Sequence, residues 1–186
     1  LHAIEDQGLR DQLAVIRVTQ VKQSAAGLAD AHGFIEHALQ QAIEAGDLSA
    51  AQAAYIPARA AYQRIAPAAQ RLAELDNAIN ARADYYEKRE QDAAFSGFHR
   101  IEYALFDQHS VEGLNPVAQR LQTDVTTLKQ QLLAQNMAPE QLAAIVVRNM
   151  RSLADIRSTG EEERYSHSDL NGFAANLEGT RKVVDL

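Results

Sequence analysis

Val117, Leu121, Val125, Leu128 and Leu132 recur at spacings of three and four residues. Such spacing puts all five on one stripe of an α-helix, whereas a strand would scatter them over both faces. The stretch opens with Asn115-Pro116, a cap residue followed by a proline whose missing N–H has no partner to lose in the first turn. Similar stripes recur along the chain, and alternating runs of β-branched residues are nearly absent. Ala, Leu, Gln, Glu and Arg are abundant, and each sits readily in a helix. The expectation is an all-α fold, an up-down bundle of about six to eight helices, in one domain spanning residues 1–186.

Taken in order, the first segment, Ile4 to Ala45, carries Leu9, Leu13, Ile16, Leu28, Ile35, Leu39 and Ile43 at helical spacing, weakened by Gly27 and Gly33. Gly46 suits a C-cap, and Asp47 or Ser49 the next N-cap. A second helix is expected from Ser49 to Leu75, kinked or broken at Pro57 and Pro67, with Tyr55, Arg59, Tyr62, Ile65, Ala66 and Ala69 on one face. Ala78 to Glu90 reads as an exposed helix or helical turn, and Ala94 to Phe106 as a mostly buried helix. The Asn115 helix runs to Gln135. Pro139 starts another, with Leu142, Ile145, Val146, Met150, Leu153 and Ile156 inward and Gly160 closing it. Ser168 to Leu186 is helical in pattern despite Gly172 and Gly179.

The bulk chemistry excludes several function classes. A formal charge of -7 and a pI near 5.3 argue against nucleic acid or an anionic membrane as partner. With no cysteine, any metal must sit on imidazole, carboxylate, phenolate or carbonyl groups, which favours iron, zinc or another hard-to-borderline divalent ion. No run approaches the roughly 18 apolar residues of a membrane helix. The chain starts at Leu1 without a signal-peptide pattern, which reads as a mature or processed form.

Two polar concentrations can carry chemistry. In Gly97-Phe98-His99-Arg100-Ile101-Glu102-Tyr103-Ala104-Leu105-Phe106, His99 and Glu102 are three apart on an otherwise apolar helix. They can close on one metal ion or hydrogen-bond each other, since neither can be buried unpaired without cost. Spacing alone favours the bonded pair. The zincin signature His-Glu-x-x-His is absent, its inverted form His-x-x-Glu-His needs a histidine where Tyr103 stands, and there is no elbow for a nucleophilic serine, so a catalytic assignment is not supported. The other concentration runs from Glu161 to Leu170. It reads either as a solvated charge run with Ser168 or Asp169 as N-cap, the reading composition favours, or as a second half of a site shared with His99 and Glu102. Arg59 and Arg64 are candidate partners for its acids. His32, His37 and His109 read as surface or hydrogen-bonded residues, and the terminal His2/Glu5 pair as coincidence.

Taken together, these stretches resemble the imelysin-like family in its EfeO/EfeM branch. Gly97 to Phe106 resembles its Gly-x-His-x-x-Glu motif. Tyr55-Ile56-Pro57-Ala58-Arg59 with Tyr62, Arg64-Ile65 and Pro67 resembles the segment upstream, and Glu161 to Leu170 with Phe173, Ala175-Asn176 and Gly179 resembles the C-terminal signature. The resemblance implies a helical bundle in the periplasm that binds iron, working with a membrane iron permease and a haem peroxidase-like protein. It implies the shorter EfeM-like form without a cupredoxin domain. His99 and Glu102 would be metal ligands, with Glu162, Glu163 and Asp169 as further carboxylates, and with Glu74, Asp76 and Asp84 nearby in sequence. The chain departs from the family at Ala66 and Gln70, where acidic residues are common; two charges are thereby removed from the expected site region. The rival readings are a metallopeptidase, which Tyr103 disfavours, and a binding module for an acidic polysaccharide or a haem-like ligand.

Overall fold

The computed structural model describes residues 37–134, 139–159 and 162–184. These form helices and turns with no strand among the described residues. Most of the expected first segment, with His2, Glu5, Leu9, Leu13, Ile16, Gly27, Leu28, His32, Gly33 and Ile35, lies outside them. Its end, α1 (residues 37–44), buries Leu39 and Ile43. Gly46, at φ 73°, turns the chain out of α1, a conformation that glycine adopts without steric cost.

Asp47 caps α2 (Leu48–Ala69), its side chain accepting from the Ala50 N–H at 2.9 Å. This helix does not break at either proline. Pro57 lies on the exposed side, and the carbonyl it frees belongs to exposed Ala53, where water can take the missing bond. Pro67 falls in the last turn. The helix stops at Ala69 instead of reaching Leu75, and the Arg71 and Leu72 amides tighten back onto Ala68 and Ala69. A separate α3 (Ala73–Asn80) follows, then two short 3-10 turns, Ala83–Tyr85 and Arg89–Gln91, so of the helix or helical turn expected over Ala78–Glu90 it is the turn that forms.

The motif helix α4 (Gly97–Glu102) starts three residues later than its pattern suggests. Gly97 has φ 76°, and a Cβ there would stand 2.3 Å from the Ile79 carbonyl oxygen. Only glycine lets α4 begin against the end of α3. The helix runs on as a π-turn (Tyr103–Asp107), a local widening often found beside functional groups.

Helix α5 (Asn115–Ala134) buries Ala118, Leu121, Val125, Leu128 and Leu132, largely the stripe its sequence shows. In α6 (Pro139–Thr159), Ile145 and Leu153 are buried, but Met150 is exposed; buried Asn149 holds the inward position between them. The correction has a polar cause. Asn149 Nδ2 donates to Asn176 Oδ1 at 2.6 Å and Thr180 Oγ1 at 2.7 Å on α7 (Asp169–Val184), so an amide is satisfied where a hydrophobe was expected. The side chains of Leu142 and Ile156 lie outside the described residues. Helix α7 packs along α2, with Gly179 against the Arg64 backbone, and Tyr55, Tyr62 and Phe98 join the aliphatic core between α2 and α4. Among the described residues no helix is long and apolar enough to cross a membrane.

Candidate metal centre

Three elements converge at one buried point: the middle of α2, the short helix α4, and the turn at residues 162–168 that leads into α7. Helix α2 supplies Tyr55 and Arg59, four apart and therefore on one face. Helix α4 supplies His99 and Glu102 by the same periodicity. The turn supplies Glu162, Glu163 and Ser166. His99, Glu102 and Glu163 are each at most 2% exposed.

The bonds form a closed network. His99 Nδ1 lies 2.9 Å from Glu102 Oε2. The other Glu102 oxygen, Oε1, accepts from the Tyr165 amide at 3.2 Å, the Ser166 amide at 2.9 Å and the Ser166 hydroxyl at 2.8 Å. Glu102 therefore fastens the 162–168 turn to α4. Arg59 donates from Nε to Glu163 Oε1 at 2.5 Å, from Nη1 to Asn80 Oδ1 at 2.5 Å and from Nη2 to Glu162 Oε1 at 3.0 Å. Its Nη2 also stands 3.2 Å from His99 Nε2. The Tyr55 hydroxyl donates to Glu163 Oε2 at 3.3 Å, and the Arg59 guanidinium lies over the Tyr62 and Phe98 rings.

This environment drives the two buried glutamates in opposite directions. Burial pushes Glu102 up, but the His99 and Ser166 bonds to its ionised form outweigh it and hold the carboxyl below its ordinary range. Burial also pushes Glu163 up, and there the Arg59 charge only partly offsets it, so Glu163 ends raised. Burial and the neighbouring Glu163 charge raise the Tyr55 hydroxyl, keeping it a donor.

Of the residues expected to hold metal, His99, Glu102 and Glu163 offer one ligand atom each, all within 4.8 Å of one another. The solvated-run reading of Glu161 to Leu170 is thus corrected at Glu163, which the turn carries into the interior. Glu162 faces Arg59 and, at 3.9 Å, Arg82. Asp169 is used structurally, its Oδ1 accepting from the Glu163 amide at 3.1 Å. Of the nearby acids, Asp76 accepts from the Tyr62 hydroxyl, Asp84 pairs with Arg89 and Arg164, and Glu74 is exposed. Arg64 pairs with Glu178 and not with the turn. His37, His109 and His167 are exposed. Sequence reasoning named Arg59 as a partner but missed that it bridges two candidate ligands, and it missed Asn80 and Ser166 altogether. The available signal was Arg59 itself: a charged residue centred on an apolar helical face, four after Tyr55.

Beside the cluster lies a cavity of about 520 Å³, with Glu162, Glu163 and Asp169 on one wall and Asn149, Leu153 and Phe173 among the others. Ala66 and Gln70 also line it.

Comparison with known proteins places this architecture. Forty-one per cent of residues are identical over 149 residues to the iron uptake system component EfeO of Escherichia coli (strain K12), and the same holds for EfeO of Shigella flexneri and of Escherichia coli O6:K15:H31. The match covers 80% of this chain but 40% of each relative, so the chain spans well under half of their length. Residues 15–185 match the family model of imelysin (Peptidase_M75), and on that match the chain belongs to the imelysin family.

Proposed function

We propose that this chain binds iron in the periplasm as a component of an iron-uptake system, taking the ion on His99, Glu102 and Glu163. The observation that carries the reading is the convergence of one imidazole and two carboxylates within 4.8 Å in a buried, cysteine-free interior. Two hard oxygens and one borderline nitrogen suit ferrous or ferric iron, and accept zinc or another divalent ion less selectively. Three protein donors leave coordination positions for water, which suits a carrier that must release its cargo. Glu163 lines the cavity, which gives the ion a polar route to the buried pair. The 41% identity to proteins described as iron uptake components supports iron as the cargo. By the family resemblance, a membrane iron permease and a haem peroxidase-like protein would be its partners.

The test is metal titration calorimetry, with ferrous iron under anaerobic conditions and with zinc. Glu102→Gln and Glu163→Gln keep side-chain shape but replace one anionic acceptor oxygen with an amide NH2 that can only donate. Each is expected to weaken binding about 100-fold, equivalent to about 2.7 kcal/mol. Wild-type affinity in both variants would refute the assignment.

A further inference from the structure

Resting on that reading, we propose that the Arg59 guanidinium is a tethered counter-cation standing in the metal's place, so that loading is an exchange of one cation for another. The geometry is specific. Arg59 is 1% exposed and spans the cluster, bonding Glu163 Oε1 through Nε and facing His99 Nε2 through Nη2. The guanidinium has no acceptor, so at 3.2 Å Arg59 Nη2 can bond His99 only through the Nε2 lone pair, which leaves Nδ1 to face Glu102. That lone pair is one an ion would use. Two of the three candidate ligands are therefore already spent on the same guanidinium.

The arrangement answers a physical problem. Three carboxylates, Glu102, Glu162 and Glu163, crowd around one point beneath the surface, and without a cation they would repel each other or take up protons. Arg59 balances part of that charge in the empty protein and keeps the ligands apart from one another and ready. An arriving metal takes over Glu163 and His99, and the guanidinium withdraws onto Glu162 and Asn80, where Nη1 and Nη2 already have acceptors. The exchange weakens net affinity, which a carrier needs for release, and it rejects singly charged ions that cannot outcompete a guanidinium held by four partners.

The experiment compares zinc binding by wild type, Arg59→Met and Arg59→Lys, with Glu102→Gln and Glu163→Gln as controls. The apolar methionine is expected to lower the stability of the metal-free protein, to bind zinc about tenfold tighter, and to show a larger zinc-induced rise in Tm. The lysine variant should fall between it and wild type, because an ammonium cannot hold the four partners at once. Binding in Arg59→Met that equals or falls below wild type would overturn the exchange, since Arg59 would then be positioning the ligands. A second measurement needs no altered core: in wild type labelled with 15N-arginine, the Nε–H signal that is missing from Arg59→Lys should move on zinc saturation as the bond to Glu163 breaks. A signal that stays in place overturns the proposal even if Arg59→Met fails to fold. The two readings separate cleanly. Loss of zinc in the Gln controls without tightening in Arg59→Met leaves the metal site standing and removes the exchange, whereas undiminished zinc binding in the Gln controls removes the metal site.

Discussion

Gly179→Ala is expected to cost about 3 kcal/mol or more of stability, while Gly172→Ala on the same helix is expected to be neutral or stabilising by about 0.5–1 kcal/mol. An alanine Cβ at 179 would stand 1.9 Å from the Arg64 carbonyl oxygen and 2.7 Å from its carbon. Both are backbone atoms in the interior of α2, so neither can swing aside as a flexible side chain could. Relief requires α7 to lift from α2, and interiors packed to crystal-like density transmit such a shift instead of absorbing it. At 172 the nearest atom is the Gln63 side chain at 3.6 Å, an ordinary contact, and alanine is a better helix former. Urea unfolding of the two variants checks the contrast. Equal stabilities would mean that the α2–α7 crossing is not as close as described.

The second large effect is at Glu102. Glu102→Ala is expected to lose about 3–5 kcal/mol, and to release the turn at residues 162–168 before the rest of the molecule unfolds. Its carboxylate is fully buried and accepts from His99, from two amides and from the Ser166 hydroxyl. Removing it leaves donors without an acceptor in a site water reaches poorly, which costs more than the bonds were worth. Because the folded-state carboxyl is held below its ordinary 4.5, its contribution is present above that value and fades as pH falls through the lower folded value. The gap between wild type and the alanine variant should therefore narrow as the pH is taken into acid below that ordinary value. Hydrogen exchange at the Tyr165 and Ser166 amides locates the effect. Unchanged protection there, with unchanged stability, would show that Glu102 does not anchor the turn.

These two sites also mark how far the chain could be read before it was folded. The all-α class, the α5 stripe, the cap at Asp47 and the buried face of α2 were legible because each depends on residues one or two turns apart. The same local logic paired His99 with Glu102. It failed where distant partners decided the outcome. Met150 was read inward and Asn149 was passed over, because the acceptors that make Asn149 tolerable are on α7. The helix through Pro57 stayed whole because its freed carbonyl faces solvent, which periodicity does not report.

The candidate site divides along the same line. Sequence by itself determined that a histidine and a glutamate share one face of a mostly apolar helix, that no thiolate competes with them, and that the chain resembles iron-handling proteins. Tertiary structure alone decided that Glu163 comes inward while Glu162 stays at the rim of the cluster and Asp169 caps the turn, and that Arg59 lies between the ligands. The reason is geometric: helical periodicity is a local property of the backbone, whereas the Arg59–Glu163 bond joins residues 104 positions apart and exists only once α2 and α7 have packed.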